Sequence, residues 1–160
     1  MDLERRAGLI IDTNLLVLYA VGSVNRSRIR TFKRTSGYDH TDYDLLVRTM
    51  DSFRPLYTIA HVLAEVNNLI DLAGPERLQA RRILAATITR LLEPHVPSRQ
   101  ATGGSCYEAL GLADSAISIA ARENKCGVLT DDLDLYLSLV KEGLPAEKFS
   151  HLRERNWQGT

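Results

Sequence analysis

The feature that most constrains this chain is an alternation between short apolar runs and longer segments of helical period. The runs "GLII", "PLYTI" and "CGVLT" are four to five residues of strand-forming character, and "AEKFSHL" reads as a final strand. Between or after them lie "NLLVLYAVG", "TDYDLLVRTMDSF", "AHVLAEVNNLIDLAG", "PERLQARRILAATITRLLE", "LGLADSAISIAAREN" and "DDLDLYLSLVKEG", all of helical pattern. A strand covered on both faces is apolar throughout, and parallel neighbours need crossover segments that helices supply. The expectation is an α/β chain, a three-layer α/β/α sandwich around a central parallel sheet, with 1–160 forming one domain.

Local signals set expected boundaries. The first helix is expected to end at Gly22, and the polar stretch 23–40 to form a long loop or flexible arm. The next helix follows a Thr41 or Asp42 cap and buries Leu46, Met50 and Phe53. Gly74 is expected to close one helix and Pro75 to open another, with Leu84, Ile88 and Leu91 as its inner stripe. Pro, Gly and Ser concentrate in 94–105, the clearest loop; Ala113, Ile117 and Ala120 share one helix face, and Gly143 stops the last helix.

With 160 residues, 44% of them apolar and 25% charged, the chain can build one sizeable core. No run approaches the roughly 20 apolar residues of a membrane helix, and "MDLERRAG" is too charged for a signal peptide, so a cytoplasmic protein with no membrane partner is expected. The two cysteines, Cys106 and Cys126, lack metal-ligand spacing and are expected to pack as small residues. Net charge is zero, yet Arg26, Arg28, Arg30, Lys33 and Arg34 fall in one stretch without an acid.

The acids are distributed more tellingly. Asp12 ends the first apolar run, Glu65 lies in the early turns of the helix after the second strand, and Asp131 and Asp132 directly follow "GVLT". In a parallel sheet the strand ends share one rim, where ligands collect. Asp114, near the start of a helix that leads into a strand, joins that rim only if the 94–104 loop carries the chain back across. Four crowded carboxylates repel unless a divalent cation offsets them. With oxygens alone on offer, the cation expected is Mg²⁺ or Mn²⁺ rather than zinc, and phosphodiester hydrolysis is the leading chemistry.

In order along the chain, "LIIDTNLL", "HVLAEVNNLI", "LGLADSAI" and "VLTDDLDLY" resemble the motifs of PIN-domain nucleases, over about Leu9 to Phe149. The resemblance implies a parallel-sheet α/β/α fold and metal-dependent cleavage of RNA. By motif it implies Asp12, Glu65, Asp114 and Asp132 as catalytic metal ligands, with Asn14 and Thr130 as supporting polar residues. Because Asp131 and Asp132 are adjacent, the fourth ligand is open to a slip of one position, and Asp131 counts as a supporting residue. Many bacterial members are toxins, which makes an antitoxin protein and a second copy of the chain the partners to test. The 23–40 segment is an addition relative to compact toxin-type members, and its basic residues are the expected RNA contacts, with Arg77, Arg81 and Arg82 a weaker candidate.

Blander readings stand beside these. Asp12 and Asp132 each serve as ordinary helix caps, Asp114 as a first-turn acid and Glu65 as a solvated helix residue. His61 reads as a helix-start residue, and Tyr19, Tyr38, Tyr43 and Phe32 as packing groups rather than base-stacking ones. Two other functions are compatible with the residues: a phosphatase with Asp12 as nucleophile, for which Asn14 stands where a second acid is usual, and a non-catalytic binding module for nucleic acid or protein.

Overall fold

The computed structural model describes Leu3 and residues 7–158. Most of the charged N-terminal stretch lies outside them. The elements in chain order are β1 (Leu9–Ile11), α1 (Thr13–Val24), α2 (Arg28–Thr31), α3 (His40–Ser52), β2 (Leu56–Tyr57), α4 (Ala60–Leu69), α5 (Gly74–Ile88), α6 (Ser98–Thr102), α7 (Tyr107–Leu110), α8 (Leu112–Asn124), β3 (Gly127–Thr130), α9 (Leu133–Lys141), β4 (Ala146–Lys148) and α10 (Phe149–Gln158).

The four strands form one all-parallel sheet in the order β2-β1-β3-β4. Successive strand residues point to opposite faces, so the burial of every residue of β1 and β3 means that helices cover both faces. Leu9, Ile10, Ile11, Val128 and Leu129 lie at the centre of a single contiguous apolar cluster. Among the described residues no helix is long and apolar enough to cross a membrane. Both cysteines are buried free thiols.

Five expectations are corrected. Helix α1 does not stop at Gly22 but continues to Val24. Gly22 serves packing instead, because a Cβ there would collide with the Tyr43 ring of α3. Helix α4 ends at Leu69, and 70–73 leaves the helix with Ile70 and Leu72 buried, an alternation of extended rather than helical period. Gly74, at φ +54°, therefore opens α5, with Pro75 in its first turn. The cap of α3 is Asp39, whose carboxylate accepts from the N–H groups of Thr41 and Asp42 while Asp42 answers the Asp39 N–H.

The 23–40 stretch is the fourth correction: it is not a flexible arm but is packed onto the core. It contains α2, and Ile29, Phe32, Thr35 and Tyr38 recur every three residues to form an inward stripe. Ile29 and Thr35 are fully buried, and the Thr35 hydroxyl donates to the Ile29 carbonyl at 2.7 Å. The fifth lies in 94–105, which carries α6. There Ala101 is buried and its carbonyl accepts from the Ser115 hydroxyl of α8 at 2.6 Å.

Candidate functional site

Strand pairing brings the acids together. All four strands run the same way, so Asp12, Asp131 and Asp132 leave the sheet at one carboxyl rim, and the Asp12 N–H donates to the Leu129 carbonyl at 3.0 Å. Asp114 reaches the rim through a contact without a sequence signal. After α5 the chain passes beside β2, where Leu92 pairs in parallel with Tyr57 through two backbone hydrogen bonds of 2.9 Å. This single-residue bridge acts as an extra strand position. The chain leaves it at the carboxyl rim, and α6 and α7 then carry it to the start of α8.

Asp12 is 3% exposed. Its Oδ1 accepts the Thr13 N–H at 2.6 Å and its Oδ2 accepts the Thr130 hydroxyl at 2.6 Å. Burial pushes its carboxyl up from 3.8 to about 6 against those two hydrogen bonds, and the charges of Asp132 and Glu65 add to the rise. Asp114 is pushed up to about 7, first by burial and then by Asp12, Asp132 and Glu65. It sits in the first turn of α8, where the helix dipole favours a carboxylate, so desolvation and like charge outweigh the dipole. No hydrogen bond contributes to its shift.

Glu65 projects from α4, and its Oε2 accepts the Thr13 hydroxyl at 3.2 Å. Asp132 is the N-cap of α9, its Oδ1 accepting from the Asp134 and Leu135 N–H groups at 2.8 and 3.0 Å. The cap role and the place in the acid cluster therefore coexist in one side chain, as they do in Asp12. Asp131 is turned elsewhere: Oδ2 accepts the Tyr38 hydroxyl at 2.8 Å and Oδ1 the Ser150 N–H at 3.1 Å.

The supporting set differs from expectation in part. Thr130 is fully buried and links Asp12 to the Asp132 N–H, which it accepts at 3.0 Å. Asn14 is exposed and makes no side-chain hydrogen bond among the described residues. Thr13 takes the part expected of it, joining Asp12 to Glu65; the hydroxyl directly after a strand-end acid was the available signal. His61 starts α4, its Nε2 facing the Ser98 hydroxyl at 2.9 Å. An open groove between α4 and α8 runs past Glu65 and Asp114, lined also by His61, Asn68, Leu110 and Leu112.

The expected RNA contacts divide. Arg26 pairs with Asp44 at 2.7 Å, Arg28 with Glu76 at 2.8 Å and Arg30 with Asp39 at 3.2 Å, so their charges are locally offset. Lys33 and Arg34 are exposed and make no ion pair among the described residues.

Chemically, the cluster offers oxygen donors alone, one of them the partly buried Asp114 carboxylate, which accepts no hydrogen bond among the described residues, and this suits a hard divalent cation. Among the described residues no three His, Cys, Asp or Glu side chains enclose an ion as they stand. Like charges hold such groups apart, and a divalent cation would offset that repulsion. No protein-family model matches the chain, and no curated protein matches its sequence.

Proposed function

We propose that this chain is a metal-dependent ribonuclease of the PIN-domain kind, hydrolysing RNA phosphodiester bonds in the cytoplasm with Mg²⁺ or Mn²⁺ held by Asp12, Glu65, Asp114 and Asp132. The observation that carries the reading is Asp114, whose carboxyl rises to about 7, first through burial and then through three acids from other elements that lie near it. A site that exists only to cap helices does not need this arrangement. A divalent cation bound there supplies the missing positive charge and offsets charge developing on a phosphodiester.

The chain's own residues do the positioning. Thr13 and Thr130 fix Asp12 from two sides, and Thr13 also orients Glu65. Lys33 and Arg34, which make no ion pair among the described residues, offer charge to the RNA backbone, five and four residues before the Tyr38 that touches the rim acid Asp131. Within this reading a toxin role, an antitoxin partner and a homodimer are further proposals. Induced expression should arrest growth with the parent chain and not with Asp12→Asn.

The deciding assay is cleavage of end-labelled single-stranded and structured RNA with millimolar Mn²⁺. The parent should cut, and Asp12→Asn should slow cutting about 100-fold or more, as should a chelator. Activity that survives either change, or no cutting of any RNA, sinks the reading. The spread of the carboxylates favours a second one, a non-catalytic binding module. It is distinguished by RNA or protein binding that needs no divalent cation.

A further inference from the structure

Three consecutive residues, the last of β3 and the two that follow it, have separate partners. Thr130 donates to Asp12 and accepts from the Asp132 N–H; Asp132 is felt by Asp12 and Asp114. Between them Asp131 is held on the other side, by the Tyr38 hydroxyl at 2.8 Å and the Ser150 N–H at 3.1 Å. This resolves the doubled acid physically: one carboxylate faces the cluster and its neighbour is an anchor.

Tyr38 is itself well fixed. Its ring meets Phe149 edge-on at 6.1 Å, and the Arg153 guanidinium lies 5.5 Å from the ring centre. Arg153 in turn pairs at 2.7 Å with Asp42, which is 2% exposed. Burial and the Asp131 charge push the tyrosine hydroxyl far above its ordinary range, so it remains a donor.

The geometry points to Tyr38 and Asp131 as positioning residues for the acid cluster: their hydrogen bond, closed by the Ser150 N–H, holds the β3–α9 turn so that Asp132 faces Asp12 and Asp114. This rests on the nuclease reading for its purpose, while the holding of the turn is a separate structural claim. Tyr38 comes from the 23–40 stretch and Ser150 from α10, so two peripheral segments act on the rim through one carboxylate.

Tyr38→Phe keeps the ring and removes the bond. It should weaken Mn²⁺ binding about tenfold, as loss of an outer hydrogen bond does at metal sites. RNA turnover should fall by a similar factor at saturating RNA, with KM within about twofold. Hydrogen exchange at the Asp132, Asp134 and Leu135 amides should quicken. Asp131→Ala should match it. Asp131→Asn should recover most of the loss, because its amide oxygen accepts from Ser150 while its amino group donates to the Tyr38 oxygen. A Tyr38→Phe protein that loses thermal stability yet keeps parental Mn²⁺ affinity, turnover and amide exchange overturns the proposal. An Asp131→Asn protein as impaired as Asp131→Ala overturns it in favour of a charge effect. If the parent neither binds Mn²⁺ nor cuts RNA, the nuclease reading fails, and the three amides alone decide whether Tyr38 holds the turn.

Discussion

At the carboxyl rim Asp12 and Asp114 are withdrawn from water with other acids nearby and no ion pair among the described residues, whereas Arg26, Arg28 and Arg30 lie in the open, each against an acid of its own. Surface pairs of the second kind contribute about 0 to 1 kcal/mol each and tell little about function. The rim stores cost instead. A rise from 3.8 to about 6 at Asp12 corresponds to roughly 3 kcal/mol against the ionised form at neutral pH. Density of charge in the sequence was therefore a poor guide, and unsatisfied charge in the fold is the better one.

The largest expected effect separates the two regions by activity. Asp114→Asn should reduce RNA cleavage about 100-fold or more, while Arg28→Ala should leave the rate within about twofold. Equal losses would erase the distinction between rim and basic stretch.

Next in size is the unfolding free energy without metal. Asp114→Asn removes like-charge repulsion and costs no hydrogen bond among the described residues, so at pH 8 it should stabilise the fold by about 1 kcal/mol or more after allowance for solvent screening. Urea unfolding measures this, and a destabilised variant would show that Asp114 is held by a favourable contact.

The pH profile carries the same contrast. Asp12 and Asp114 titrate higher in the folded chain than at their unfolded 3.8, so the folded state keeps protons that the unfolded state has released. Metal-free stability should then fall as pH rises from about 4 to about 7, and excess Mn²⁺ should flatten that slope. Asp39 works oppositely and in another window. Hydrogen bonds, first from Thr41, lower it to about 2, so its contribution is lost as pH drops below about 4.

Smallest is the effect on RNA binding. Lys33→Ala with Arg34→Ala should weaken single-strand binding several-fold and reduce the salt slope by about 1.4, from about 0.7 per phosphate contact. Arg26→Ala should leave the slope unchanged. A larger change at Arg26 would mean that RNA displaces Asp44.

Much of the rim was legible because a parallel sheet collects its strand ends, which places Asp12 and Asp132 on one edge from the sequence pattern alone. Asp114 was harder. Its route depends on Leu92, and one bridging residue in a polar neighbourhood has no periodicity to read. The 29, 32, 35 and 38 stripe escaped notice because basic residues fill the gaps and Thr35 is polar by type though buried by place. Asn14 drew attention as the residue after Asp-Thr, yet the threonine hydroxyl is the one within reach of Glu65. Which acid of Asp131 and Asp132 turns to the cluster depended on Tyr38, 93 residues away, a contact that no local pattern contains.

The most direct test of the cation site is calorimetric titration of the metal-free chain with Mn²⁺ at pH 8. A single site weakened about tenfold or more in both Asp12→Asn and Asp114→Asn is the expected result. Absence of binding at millimolar Mn²⁺, or binding that both substitutions leave intact, would contradict the account.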